Sequence, residues 1–218
     1  MKAMILAAGR GERMLPLTRD LPKPLLPIGK TTLIQRHLCR LAESGVESVV
    51  INLHFLGEKI QQLLGSEQFG LQIEYSLEAE LLETAGGIYA ALPMLGEAPF
   101  LVVNADIFTD FDFNSLVALD QIKSPHLVMV PNPEQHPDGD YGLDSRGRLT
   151  SSGPTYTYSG IGVYPSRFFD SMSHGKLMLR PLFDAGIEAG QLTGEIFQGD
   201  WTDVGTPERY DLLKARFR

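Results

Sequence analysis

The chain has 218 residues, 43% apolar and 21% charged, with one cysteine and a formal net charge of −8. That is enough chain to bury a full core; one cysteine excludes an internal disulfide framework, and no apolar run approaches the roughly 18 residues a membrane span needs. The acidic balance argues against a nucleic-acid partner, and the short N-terminal apolar run, followed by arginines and prolines, is no secretory signal, so the expected location is the cytoplasm.

Met4-Ile-Leu-Ala-Ala8 carries no charge and stops at Gly9, the pattern of a short strand buried on both faces of a parallel sheet. Its C-terminal end opens onto a loop. Gly9 and Gly11 lack Cβ, so this loop can turn sharply and present successive N–H groups to an anion at close range. Arg10 and Arg13 add fork-shaped donors suited to phosphate. Ten residues after Arg13, Lys23 stands between Pro22 and Pro24, which restrict where its ammonium can reach. Residues 1–30 hold six lysines and arginines against two acids, a local +4 in an otherwise acidic chain, and such a corner suits a small polyanion. For the glycines alone, a strand-to-helix turn with solvated arginines is an equal reading.

Thr32 to Ser44 has helical periodicity and stops at Gly45. Val49 to Asn52 reads as a buried strand, Leu56 to Leu64 as a helix and Leu71 to Tyr75 as a strand. Gly86 to Leu95 is the next expected helix, with Thr84 available to cap it, and Phe100-Leu-Val-Val-Asn104 the next strand, followed by Ala105 and Asp106. Strands separated by helix-length segments imply right-handed crossovers and a largely parallel sheet. Ligands of such sheets sit outside the carboxyl ends of the strands, which is where the glycine loop and Asp106 fall.

The second half changes character. His126 to Val130, Thr155 to Tyr164 and Leu192 to Gln198 read as strands, with 131–142 and 145–154 as polar connections. Weak helices are expected over 165–173 and 180–189, and a last one over 207–217 with Thr206 as N-cap and Pro207 in the first turn. No repeat or linker is visible, so the expectation is one domain over 1–218. Alternation places the hydroxyls of Thr155, Thr157 and Ser159 on one strand face, fit either for a sugar or for solvent.

Asp106 and Asp203 each lie at the expected end of a strand. Mg²⁺ bound to a nucleotide needs only one or two protein carboxylates plus phosphate oxygens and water, and two aspartates from distant parts of the chain meet that need. Either alone reads equally well as a turn-forming Asp, as at Asp110, Asp112, Asp140 and Asp200. The five histidines show no zinc spacing.

Leu-Ala-Ala-Gly-Arg-Gly-Glu-Arg-Met14 followed by Pro-Lys-Pro-Leu25 resembles the signature of the sugar-1-phosphate nucleotidyltransferases, and the likeness continues through Val-Asn-Ala-Asp106, Ser159-Gly-Ile161 and Trp201-Thr-Asp-Val-Gly-Thr206. The resemblance implies a GT-A-like three-layer α/β/α sandwich with a predominantly parallel mixed sheet. Its nucleotide-binding half would span about 1–120 and its sugar-binding half about 121–218. It implies a nucleoside triphosphate and a sugar 1-phosphate as substrates and Mg²⁺ as cofactor. Carried over by position, Ala8, Gly9, Gly11, Arg13, Lys23, Glu78 and Thr84 would meet the nucleotide. Arg13, Lys23 and Asp106 would act in catalysis, Asp106 and Asp203 would bind the metal, and Asn104, Ser159 and Gly160 would lie at the sugar. Short length and the Leu-Glu-Thr-Ala-Gly-Gly87 segment resemble the branch that carries uridylyl groups to N-acetylmuramate 1-phosphate. Three departures stand out: Ala105 and Glu83 occupy positions where relatives commonly carry Gly, and the Glu-Lys pair many relatives place at the sugar is absent. A carboxylate-bearing sugar would favour a nearby cation, for which Arg146, Arg148, Lys176 and Arg180 are candidates. Nothing in the sequence signals an oligomeric state.

Overall fold

The computed structural model describes residues 1–217, and a ten-stranded mixed sheet runs through it. At its centre Lys2–Leu6 lies between Ser48–Leu53 and Phe100–Asn104, parallel to both, and Leu71–Leu77 extends the parallel set. The apolar middles of these strands follow from burial on both faces. Ala3, Ile5, Val49, Ile51, Leu101 and Val103 pack toward the helices Leu33–Glu43 and Gly57–Leu64, meeting Ile34, Leu38, Ile60 and Leu64. The alternate residues Met4, Val50, Phe100 and Val102 meet Ala85, Ile88 and Leu95 of Glu83–Leu95 and Phe183 of Arg180–Glu188 on the other side. Two cores separated by one sheet make the expected three-layer α/β/α sandwich.

The second half supplies the mixed edge. Thr155–Tyr164 runs antiparallel to Phe100–Asn104, and His126–Val130 pairs antiparallel with it and parallel with Thr193–Ile196. Strands from both halves thus share one sheet. Among the described residues, no helix is long and apolar enough to cross a membrane.

Several elements differ from expectation, each for a tertiary reason. The first strand is Lys2–Leu6, because the Ala7 N–H leaves the ladder and donates to Asn52 Oδ1 at 2.7 Å. The third helix begins at Glu83, so Thr84 lies inside its first turn and caps nothing; its Oγ1 accepts from the Leu179 N–H at 3.2 Å. The glycines that hid the start of this helix have no room for a side chain: a Cβ on Gly87 would sit 2.7 Å from both Asn52 Nδ2 and Glu78 Oε1. Two short strands, Tyr141–Leu143 and Leu149–Thr150, form inside stretches expected to be connections, and 165–173 yields only a short 3₁₀ turn, Ser166–Phe169. Ile107–Thr109, unmarked in the sequence, pairs antiparallel beside the sheet with Trp201–Asp203, the strand that Asp203 ends as expected.

Helix starts were legible where caps are local. Thr32 accepts from the Gln35 N–H at 3.3 Å while the Gln35 side chain accepts from the Thr32 N–H at 3.1 Å, a reciprocal capping box. Thr32→Ala is expected to cost about 1 kcal/mol. The measurement is the urea midpoint, which should fall at constant slope; an unmoved midpoint contradicts the cap's contribution.

Candidate active site

Three strand ends in register make the floor of a cleft: Leu6 pairs with both Asn52 and Asn104, and all three residues line it. The cavity is about 450 Å³. One wall is the glycine loop. Gly11 takes φ +64°, and its carbonyl accepts from Thr18 Oγ1 at 2.7 Å, so a buried threonine fixes the turn. Ala8, Gly9, Gly11 and Arg13 all line the cleft, with the Arg13 side chain exposed.

Lys23 enters from the opposite end of the same loop. Pro22 and Pro24 flank Lys23, which opens the 3₁₀ turn Lys23–Leu25 and is only 8% exposed. Its Nζ lies 2.7 Å from Asp106 Oδ2. Asp106 follows the Phe100–Asn104 strand and leads into Ile107–Thr109, where the Ile107 carbonyl accepts from His37 Nε2 at 2.9 Å. Burial pushes the His37 imidazole down to about 4, so it stays neutral and serves as a fixed donor behind the aspartate.

Asp203 comes close through the paired short strands. It is the register partner of Ile107, and the Val204 N–H donates to the Asp106 carbonyl at 2.8 Å. Its Oδ2 accepts from Arg209 at 2.8 Å and its Oδ1 from Gln135 at 2.9 Å. Gly205, a cleft residue, leaves the space through which Arg209 reaches Asp203; a Cβ there would sit 2.7 Å from Asp203 Oδ2. No group of three or more His, Cys, Asp and Glu side chains placed to hold a metal exists among the described residues. Mg²⁺ takes hard oxygen donors and completes its shell with phosphate and water; Asp106 lies in the turn after Phe100–Asn104, and Asp203 ends Trp201–Asp203 with its oxygens met by Arg209 and Gln135. Asp106 is 39% exposed at the side chain and Lys23 meets its Oδ2, so it can present oxygen to the cleft.

Other expected site residues lie elsewhere. Glu78 is buried behind the wall: Oε1 accepts from Asn52 Nδ2 at 2.7 Å and Oε2 from the Leu82 N–H at 3.0 Å. Its carboxylate therefore orients Asn52, whose Oδ1 in turn holds Ala7. Ser159 is 1% exposed, and its hydroxyl accepts from the Ile161 N–H at 3.2 Å. Thr155 and Thr157 spend their hydroxyls on the Asp138 carbonyl and Asn132 Oδ1. Of this row, Thr157 and Ser159 are buried and Thr155 is half-buried. Gly160, at φ +82° in a bulge, lies under Asn104: an added Cβ would stand 2.6 Å from Asn104 Nδ2. Asn104 and Thr84 do line the cleft.

Sequence reasoning missed Asn52, Arg209, Gln135 and His37. Asn52 carried a usable signal, an amide ending a buried strand as Asn104 does. The others depend on contacts between distant segments.

The chain matches the nucleotidyl transferase family over residues 2–216. It is 46% identical to an N-acetylmuramate alpha-1-phosphate uridylyltransferase of Neisseria meningitidis serogroup B, covering 99% of this chain and 97% of that protein. A protein of the same description from Caulobacter vibrioides is 32% identical, with 98% and 96% covered. A mannose-1-phosphate guanyltransferase of Gibberella zeae is 29% identical over 96% of this chain but 62% of its own length. In three dimensions, a putative glucose-1-phosphate thymidylyltransferase from Bacillus anthracis superposes with a TM-score of 0.87 at 22% identity, covering 100% and 95% of the two chains, which shows a shared fold. With a family match running nearly end to end and a full-length relative at 46% identity, the chain is a member of the nucleotidyl transferase family.

Proposed function

We propose that this chain transfers the uridylyl group of UTP to N-acetylmuramate 1-phosphate, releasing pyrophosphate. The observation that carries the reading is the Lys23–Asp106 pair, 2.7 Å apart, on the floor of a cleft walled by the glycine loop. The full-length likeness to the Neisseria protein supports the choice of substrates.

An oxygen of the sugar phosphate attacks the α-phosphorus; the bond to the bridging α–β oxygen breaks, and pyrophosphate leaves with its electron pair. A phosphate monoester is already a competent nucleophile at neutral pH, so no general base is needed. What remains for the protein is alignment and charge neutralisation. Backbone N–H groups of Gly9 to Arg13 and the Arg13 guanidinium would hold the triphosphate, and the Lys23 ammonium would meet charge developing on the phosphates. Asp106 and Asp203 would hold Mg²⁺, which supplies neutralisation of phosphate charge when bound.

Of the four cations considered for a sugar carboxylate, the register separates two. Arg148 bridges to Thr193, which pairs with His126 at the sheet end remote from Asn104, and Arg146 adjoins it on the same turn. Arg180 instead pairs with Asp140 at 3.5 Å, beside the part of Thr155–Tyr164 that runs past the cleft end of the sheet.

Pyrophosphate release measured across four triphosphates and several sugar phosphates with Mg²⁺ tests the reading. UTP with N-acetylmuramate 1-phosphate is expected to turn over fastest. Preference for GTP with mannose 1-phosphate would replace this substrate pair, and no release with any pair would leave a nucleotide-sugar-binding protein without catalysis.

A further inference from the structure

Every carboxylate that lines the cleft already has a cation of its own. Glu12 meets Arg10 at 4.0 Å, Glu83 meets Lys176 at 3.6 Å and Asp106 meets Lys23 at 2.7 Å. Asp203, beside Asp106, meets Arg209 at 2.8 Å. Arg13 also lines the cleft and makes no ion pair among the described residues, so the empty cleft carries a surplus of positive charge.

Arg209 is committed to its contact. Its side chain is 18% exposed, and its guanidinium crosses the face of Gly205, where any Cβ would collide with Nη2. Nε is buried without a hydrogen-bond partner, and among the described residues Asp203 is the one acid that Arg209 meets. The residue stands in the first turn of the Pro207–Ala215 helix, behind the Thr206 cap. A cation there opposes the helix dipole, so helix stability does not account for it. Gln135 takes the other oxygen of Asp203, at 2.9 Å, and brings no charge. An ionised carboxylate has about four acceptor sites, so Asp203, 29% exposed, keeps lone pairs for a cation beside these two donors.

We propose that Arg209 is a positioning residue that holds Asp203 and sets how tightly the cleft binds a divalent cation. The inference rests on the nucleotidyl transfer reading above. With Lys23 on Asp106 and Arg209 on Asp203, neither carboxylate offers unbalanced charge to a bare cation, and the surplus at Arg13 repels it further. A bound triphosphate would reverse that balance, since its own charge is negative and Lys23 would then meet phosphate as well as Asp106. Arg209 thereby makes retention of the cation conditional on the triphosphate, and it holds Asp203 in place while the cleft is empty.

The test is Mn²⁺ binding to the protein without nucleotide, read from the EPR signal of the free ion. Wild type is compared with Arg209→Met, Arg209→Gln, Arg209→Lys and the double variant Arg209→Met with Asp203→Asn, and melting temperatures establish that each is folded. Removing the charge is expected to tighten binding about tenfold in Arg209→Met and Arg209→Gln, while Arg209→Lys stays near wild type. Adding Asp203→Asn should abolish the gain. The sign is decisive, because an arginine that only supported the fold would weaken binding when removed. Unchanged or weaker binding in both neutral variants overturns the role of Arg209, and so does a gain that survives Asp203→Asn. Pyrophosphate release by the wild type tests the underlying reading separately. No release with any substrate pair removes that reading and this inference with it, whereas release without tighter Mn²⁺ binding in the neutral variants removes this inference alone.

Discussion

Lys23→Ala is expected to lower turnover about 10²-fold, equivalent to roughly 3 kcal/mol of lost transition-state stabilisation. The side chain is nearly buried and its ammonium lies 2.7 Å from Asp106. The proline frame that brings it there also fixes the loop, since the Leu25 N–H closes on the Pro22 carbonyl at 2.8 Å. In the proposed reaction, truncation would remove a positive charge where the leaving pyrophosphate gathers negative charge. The loss should therefore fall on kcat more than on KM for the triphosphate. Steady-state kinetics with both substrates varied checks it, and a variant that keeps wild-type kcat contradicts the assignment.

Asp106→Asn should be at least as damaging to turnover, about 10²-fold or more, with little change in side-chain volume. Its distinctive effect is on metal dependence: the Mg²⁺ concentration for half-maximal rate should rise, because one of the two carboxylates proposed to hold the ion has lost its charge. Lys23 then keeps only a neutral partner. The pair is partly open to solvent on the aspartate side, so the cost in stability should stay near 1 kcal/mol, well below the catalytic loss. Titration of rate against Mg²⁺ and a urea unfolding curve separate the two effects. An unchanged Mg²⁺ requirement would show that the ion is held elsewhere.

The features legible in the sequence were those encoded by neighbours along the chain. Gly9, Gly11, Arg13 and the framed Lys23 announce an anion loop because the loop is local, and the largely parallel sheet follows from strand and helix spacing. Asp106 was readable as the first acid after a buried strand. What stayed hidden was made by contact between distant segments. Glu78 was expected at the nucleotide, but Asn52 and the Leu82 N–H draw its carboxylate inside. Ser159 looked like one of a row of hydroxyls, yet the bulge at Gly160 turns the strand and buries it, with its carbonyl accepting from Trp201 Nε1. Thr84 matched the pattern of a cap, but the strap from residues 175–179 had already taken the exposed N–H groups of that helix. Asp203 needed the short Ile107–Thr109 and Trp201–Asp203 strands, too brief to carry a period, before its nearness to Asp106 could be seen.

Crystals grown with Mn²⁺ and a non-hydrolysable UTP analogue would test the gathering of cation, lysine and triphosphate in one cleft most directly, since Mn²⁺ can be located by its anomalous scattering. The expected result is a Mn²⁺ ion bound by the carboxylates of Asp106 and Asp203, with the phosphates lying along Gly9 to Arg13. A triphosphate bound outside this cleft, or an ion that touches neither aspartate, would contradict it.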